Sequence, residues 1–462
     1  MTKTSFRMGT EKAGFVVVQT ESGIINDPIV VAPKGLPGCS LASTCDKTPY
    51  PPGRGKYFQS ALPELLSYTP VKTSQRLLMA IQLLLALAYV FPVLQTHDRL
   101  TGSDFLIYYT GGAIVRDGQG KRLYDLDLQR DYQAQVLAQE GAHSNFGLFP
   151  FINPPHAALL LTPFAYLPPK RAALVFLAFN GLLAAWVLRR LWQLGAGWSR
   201  AERIILLTTV VATEVFWYSL GLGTMTVLVF ACILEFYLAL NAGRDTRAAI
   251  WLIAATIKPQ LILLPALIPL ALRRWRLIGI AVSLGLLVGF IVSLILGFRI
   301  WLDYLRVIRE VSAHGETYGA LSVLMNNLRM ILYWTVPPQA ILPLVYLALL
   351  AGVIVIFWLW RSARDFGLRF AFTILLGMFL APYLHYQDTL IAFLPAALSY
   401  DFARNNRPKL LPVFQVLVLA ATFVPAALIF SRYNRPLGWI WPVPFMIILT
   451  VTCVLALRRE EK

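Results

Sequence analysis

LIGIAVSLGLLVGFIVSLILG, residues 277–297, contains no ionisable side chain. As an α-helix it would be about 31 Å long, which matches the roughly 30 Å hydrocarbon core of a bilayer. Arg273, Arg274 and Arg276 stand immediately before it, a basic cluster of the kind retained on the cytoplasmic side. The stretch therefore reads as a transmembrane span leaving the cytoplasm. Comparable apolar runs occupy about 76–96, 169–190, 204–220, 224–241, 340–360, 411–430 and 439–457. The chain of 462 residues is 57% hydrophobic and 14% charged, whereas a soluble domain carries about 25% charged residues. A deficit of that size means that lipid is the solvent.

The positive-inside rule orients the remaining spans. Arg189 and Arg190, Arg244 and Arg247, Arg361 and Arg364, Arg404 and Arg407, and Arg458 and Arg459 all fall on one side of the alternation. Two long loops, about 97–167 and 298–338, then lie outside. Two segments are too short to cross alone. Residues 248–257 and 260–271 are apolar arms of about 15–18 Å, joined by Lys258-Pro259-Gln260 and flanked by arginines at both ends, so they read as a hairpin whose tip enters the membrane. Residues 368–383 and 386–400 form a second short pair, turning outside at Tyr383-Leu384-His385-Tyr386-Gln387-Asp388. The expected fold is an all-α polytopic membrane protein of about 11–12 membrane helices, with interfacial helices on the outer side. Residues 1–75, rich in proline and glycine, are expected to be a flexible cytoplasmic tail, and residues 76–460 the membrane domain, with both termini cytoplasmic.

The net charge of +17 does not signal nucleic acid, because the cations sit in short clusters between apolar runs rather than in one basic tract. Cys39 and Cys45 lie in the tail and Cys232 and Cys453 inside apolar helices, so no disulfide framework or metal site follows. Asp125-Leu126-Asp127 spells a metal-binding D-x-D pattern, too short to carry weight. Nucleotide-binding glycine loops, zinc-protease motifs and serine-hydrolase motifs are missing from the sequence.

Polar residues that could do chemistry come from separate segments. Ser103 can cap a helix starting at Asp104; that helix, apolar and carrying Tyr108 and Tyr109, is expected to lie in the membrane interface. An aspartate there also simply suits a helix N-terminus. Asn153, in a proline-rich return toward the membrane, suits either a backbone cap or a sugar hydroxyl. Lys258 sits at membrane depth, where a cation is expensive and usually functional, and an anion such as a lipid phosphate is its natural partner; snorkelling is the alternative. In the second outer loop Asp303, Arg306, Arg309, Glu310 and Glu316 suit a solvated helix face, while His314 and Asn326 stand out. His385 and Asp388, three residues apart beside a half-length helix, are unusual packing residues.

Taken in series, Ser103-Asp104-Phe105 with Tyr108-Tyr109, Leu123-Tyr124-Asp125, Asn153-Pro154-Pro155 with Leu159 to Pro163, Gly221-Leu222-Gly223-Thr224, Ile257-Lys258-Pro259-Gln260 and Ala381-Pro382-Tyr383-Leu384-His385 resemble the family 87 glycosyltransferases, bacterial membrane enzymes of the GT-C class. The resemblance spans roughly residues 76–457. It departs from the family at Thr224-Met225-Thr226, where a Gln-Asn-type continuation is usual, and in the length of the tail.

The resemblance implies a polyprenyl-phosphate sugar donor, mannose being the expected sugar, and a hydroxyl on a glycolipid or glycan acceptor. Inverting transfer would take place on the outer face of the bacterial cytoplasmic membrane, with no cofactor and no metal. Asp104 matches the base position, and His385 matches a family histidine that with Lys258 would hold the donor phosphate. Tyr108, Tyr109, Asn153, His314, Asn326 and Asp388 are the residues expected to meet sugar or acceptor. A transporter or flippase of lipid-linked sugars would use a similar phosphate groove without chemistry, but would be expected to show inverted repeats.

Overall fold

The computed structural model describes residues 72–96, 104–141, 147–314, 318, 325–362, 365–430 and 442–458. Residues 1–71 of the expected tail, with Cys39 and Cys45, lie outside them, as do Ser103 and Glu316. Every regular element among the described residues is helical, and the chain is an all-α polytopic membrane protein. Among the described residues four helices are long and apolar enough to cross a bilayer: α1 (Thr73–Thr96), α5 (Pro169–Leu194), α12 (Trp275–Leu296) and α15 (Pro338–Arg361). The quoted stretch is the body of α12, and its Leu286, Phe290 and Leu294 are more than half exposed, as side chains facing lipid should be. Shorter apolar helices are α8 (Thr226–Asn241), α16 (Phe366–Leu380), α18 (Leu411–Phe430) and α19 (Pro442–Arg458).

The expected span at 204–220 is broken. α6 (Arg200–Val211) and α7 (Glu214–Gly221) meet at a 50° bend. The carbonyls freed there are reclaimed locally: Thr213 Oγ1 donates to Val210 O (2.8 Å) and Trp217 Nε1 to Val211 O (2.7 Å). This is how a helix break is tolerated where water is scarce. The Lys258 hairpin appears as α9 (Asp245–Ala254), a 3₁₀ turn at Ala255–Ile257, then the short α10 (Pro259–Ile262), a 3₁₀ turn at Pro265–Leu267 and α11 (Ile268–Ala271). Pro259, Pro265 and Pro269 fragment the second arm, because each lacks a backbone donor.

The first loop folds into α2 (Asp104–Arg116), α3 (Leu126–Gln139) and α4 (Pro155–Leu161). α2 is wrapped by protein rather than laid on lipid. All but one residue from Phe105 to Ile114 is buried, in a cluster with Phe151, Leu161 and Phe176. Gly111 and Gly112 permit this, since a Cβ there would stand 2.7 Å from the Phe151 ring and 2.8 Å from Leu161 O. The second loop holds α13 (Ile300–Ala313) and α14 (Leu328–Tyr333). α13 buries Ile300, Val307 and Val311 and exposes Leu302, Leu305, Arg306 and Arg309, an amphipathic pattern suited to an interface. α16 stops at Leu380, ahead of Pro382, and the chain resumes in a 3₁₀ segment, Tyr386–Ala392, that runs into α17 (Phe393–Asn406). The turn between them faces α7, α8 and the start of α2.

Candidate active site

Lys258 leaves helical geometry (φ −121°, ψ 78°) between the two arms of the hairpin. Its side chain is buried, and Nζ lies 2.6 Å from Asp388 Oδ1. Thr226 Oγ1 donates to the same carboxylate oxygen at 2.6 Å and accepts from Lys258 Nζ at 3.2 Å. The backbone N–H of His385 reaches Asp388 Oδ2 at 3.4 Å. Removing two charges from water is costly, and only a short, multiply bonded arrangement of this kind offsets it. Lys258 and Asp388, expected to serve donor phosphate and sugar respectively, are thus bonded to each other.

Asp104 is the first residue of α2 and is partly exposed. Its Oδ2 accepts from Gln387 Nε2 at 3.1 Å. Gln387 is held in turn by Ser219 Oγ, which donates to its carbonyl at 3.2 Å. The start of α2 is fixed by a second tie: Phe105 N–H donates to Leu222 O at 3.1 Å. The turn providing that carbonyl needs glycine at 223, where φ is +62° and a Cβ would meet Phe105 Cβ at 2.8 Å. Burial pushes the Asp104 carboxyl above the ordinary carboxylate range, against the opposing charges of Lys258 and His385.

His385 is partly exposed, and its backbone carbonyl accepts from the N–H of Asp388 at 3.0 Å at the start of the 3₁₀ segment. Burial lowers its pKa, against the nearby carboxylates. Tyr108, one turn after Asp104, is buried on the same helix. Four segments that are remote in sequence therefore meet here: the α2 start, the 221–226 turn, the hairpin tip and residues 385–388.

The other expected residues have different surroundings. Tyr109 Oη donates to Leu167 O at 2.8 Å. Asn153 Nδ2 donates to Ile257 O at 3.1 Å, tying the first loop to the residue before Lys258. Asn326 is buried, its N–H donating to Leu384 O at 2.9 Å. His314 is exposed at the end of α13, with Nδ1 3.1 Å from Glu310 Oε1. Asp125 caps α3 through the N–H groups of Asp127 and Leu128 and pairs with Arg122 at 2.7 Å, and the Arg122 bond holds its carboxyl below the usual range. Asp127 pairs with Arg130. Gln387 and Thr226 were not foreseen; Thr226 sits where the chain departs from the expected pattern, and Gln387 stands between two residues that did draw notice.

A family model described as glycosyltransferase family 87 matches residues 151–384, about half of the chain. The match includes the 221–226 turn and Lys258, ends just before His385, and leaves Asp104 upstream. None of the curated proteins matches the chain.

Proposed function

We propose, from the premise that the chain belongs to glycosyltransferase family 87, that this membrane glycosyltransferase moves a sugar, mannose in our reading, from a polyprenyl phosphate to a hydroxyl of a glycolipid or glycan with inversion. The reaction runs on the outer face of the bacterial cytoplasmic membrane, with the donor's prenyl chain in lipid. The acceptor hydroxyl enters beside Asp104, whose carboxylate takes its proton as the oxygen attacks the anomeric carbon. The bond from that carbon to the phosphate oxygen breaks on the opposite face, and the electron pair leaves with the polyprenyl phosphate. One carboxylate suffices, because no covalent sugar–enzyme intermediate is formed.

The leaving phosphate needs positive charge already in place. Lys258 supplies it, with Asp388 holding the ammonium in position until the phosphate shares it, and His385 donates a hydrogen bond or gains a proton as phosphate arrives. Tyr108 lines the same space. The other expected sugar contacts are further from this chemistry: Asn153 steadies the hairpin tip, and Tyr109 turns to Leu167.

One observation carries the reading. A partly open carboxylate, Asp104, is bonded to Gln387, and the adjacent Asp388 anchors Lys258, so one short turn registers base against cation. The test is sugar transfer from synthetic polyprenyl-phosphomannose to lipid-extract acceptors by native protein and Asp104→Asn. Transfer lost in the variant with donor binding retained supports both reaction and base. Transfer that survives removes Asp104 from the base role. Donor binding without transfer from any lipid-linked sugar favours a transporter.

A further inference from the structure

At the start of α7 a second carboxylate lacks a counter-ion among the described residues. Glu214 opens α7 just past the bend, half-buried, and no cation pairs with it among the described residues. Its one hydrogen bond there is from Tyr386 Oη, which donates to Oε2 at 2.8 Å. Tyr218, four residues on and therefore on the same helix face, is also half-buried; its ring packs edge-on to Tyr386, with centroids 5.6 Å apart. Tyr386 immediately precedes Gln387, whose side-chain amide bonds Asp104, so one short turn reaches both carboxylates. On α1, which packs against α7, Tyr89 is only 6% exposed, yet its hydroxyl finds no partner among the described residues.

A carboxylate without a cation and a buried hydroxyl without a partner are both costly at this depth. The Glu214 carboxylate, with no cation beside it among the described residues, repels an anion, which argues against the donor phosphate. What they lack is a ligand with several neutral hydroxyl groups, able to donate to Glu214 and to bond the Tyr89 hydroxyl while its apolar ring faces rest on the aromatic carbon of Tyr218 and Tyr386.

We propose that Glu214, with Tyr89, Tyr218 and Tyr386, binds a neutral sugar or polyol ring of the acceptor and presents the hydroxyl that Asp104 deprotonates. The inference rests on the reaction proposed above for the choice of acceptor over any other sugar ligand. Glu214 is a positioning residue: it holds the ring and takes no part in bond-making.

The test uses full-length protein in nanodiscs, with methyl α-mannopyranoside, myo-inositol and glucosamine as probes and polyprenyl phosphate as donor-side control. Glu214→Gln and Tyr89→Phe, both near-isosteric, are compared with native. The expected result is that native protein binds a neutral probe, that Glu214→Gln weakens it about tenfold or more, and that polyprenyl-phosphate affinity stays within about twofold. In turnover, KM for acceptor rises more than kcat falls. Equal probe affinity in native and Glu214→Gln, no neutral-probe binding by native protein, or preference for cationic glucosamine overturns the proposal. Neutral-probe binding that depends on Glu214, without polyprenyl-phosphate binding or transfer, would instead sink the donor reading and leave the sugar site standing.

Discussion

Lys258 Nζ and Asp388 Oδ1 lie 2.6 Å apart in a buried ion pair that spans 130 positions of sequence. Thr226 bonds both members, and the residues on either side of the pair belong to the segments that shape the Asp104 surroundings. The pair is therefore a structural tie, and in the proposed reaction Lys258 is the member that meets the donor phosphate.

Removing one member leaves the other charge buried and alone, which typically costs about 3–5 kcal/mol. Asp388→Asn and Lys258→Met should each lower the unfolding midpoint strongly and abolish transfer. The double variant should recover most of the stability and none of the activity. Thermal unfolding of the four proteins in detergent, beside transfer assays, gives the coupling directly. Additive single effects would mean that the pair does not form in the membrane.

Gly223 couples backbone geometry to the position of Asp104. An alanine there would adopt a left-handed conformation at a cost of about 1–2 kcal/mol, and its Cβ would push on Phe105. Phe105 adjoins Asp104, so Gly223→Ala should reduce kcat by more than its modest loss of stability explains. Unchanged kcat at a temperature well below unfolding would show that the α2 start does not need this contact.

The proposed base makes a signed prediction about pH. A base works deprotonated, so the rate rises with pH through its pKa. Burial raises the Asp104 pKa, which moves the acid limb of kcat/KM above the ordinary carboxylate range. The Gln387 hydrogen bond favours the charged form and opposes that shift. Gln387→Ala should therefore move the limb to still higher pH. A pH profile whose limb stays put, or moves down, would separate Gln387 from the titrating group.

The membrane helices were legible because lipid imposes composition: runs such as 277–297 have few other uses, and arginine clusters mark their ends. Asp104, Lys258 and His385 drew attention for the same reason, as ionisable groups set in or beside apolar runs. The Lys258–Asp388 bond was not legible, since pattern along a chain says that each charge needs a partner without saying which. The break between α6 and α7 carries no proline or glycine at Ala212-Thr213 and is visible only through the bonds of Thr213 and Trp217. The burial of α2 depends on Gly111 and Gly112 meeting Phe151 and Leu161, contacts between residues tens of positions apart. Gln387 gains meaning only when Asp104, 283 positions away, is placed against it.

The D-x-D pattern offers the sharpest contrast between motif and structure. Asp125 Oδ1 accepts the N–H groups of Asp127 (3.1 Å) and Leu128 (3.2 Å), its Oδ2 faces Arg122, and Asp127 turns to Arg130. Both carboxylates are engaged in starting and flanking α3, not in converging on one point. Loss of an N-cap typically costs about 1 kcal/mol, and asparagine caps as well as aspartate. Asp125→Ala should thus destabilise the protein by about that amount, while Asp125→Asn should restore the stability and leave transfer near native. Transfer by native protein should also withstand a chelator. If Asp125→Asn were as inactive as Asp104→Asn, and divalent metal restored a chelated native enzyme, the carboxylate would be a metal ligand and the capping role secondary.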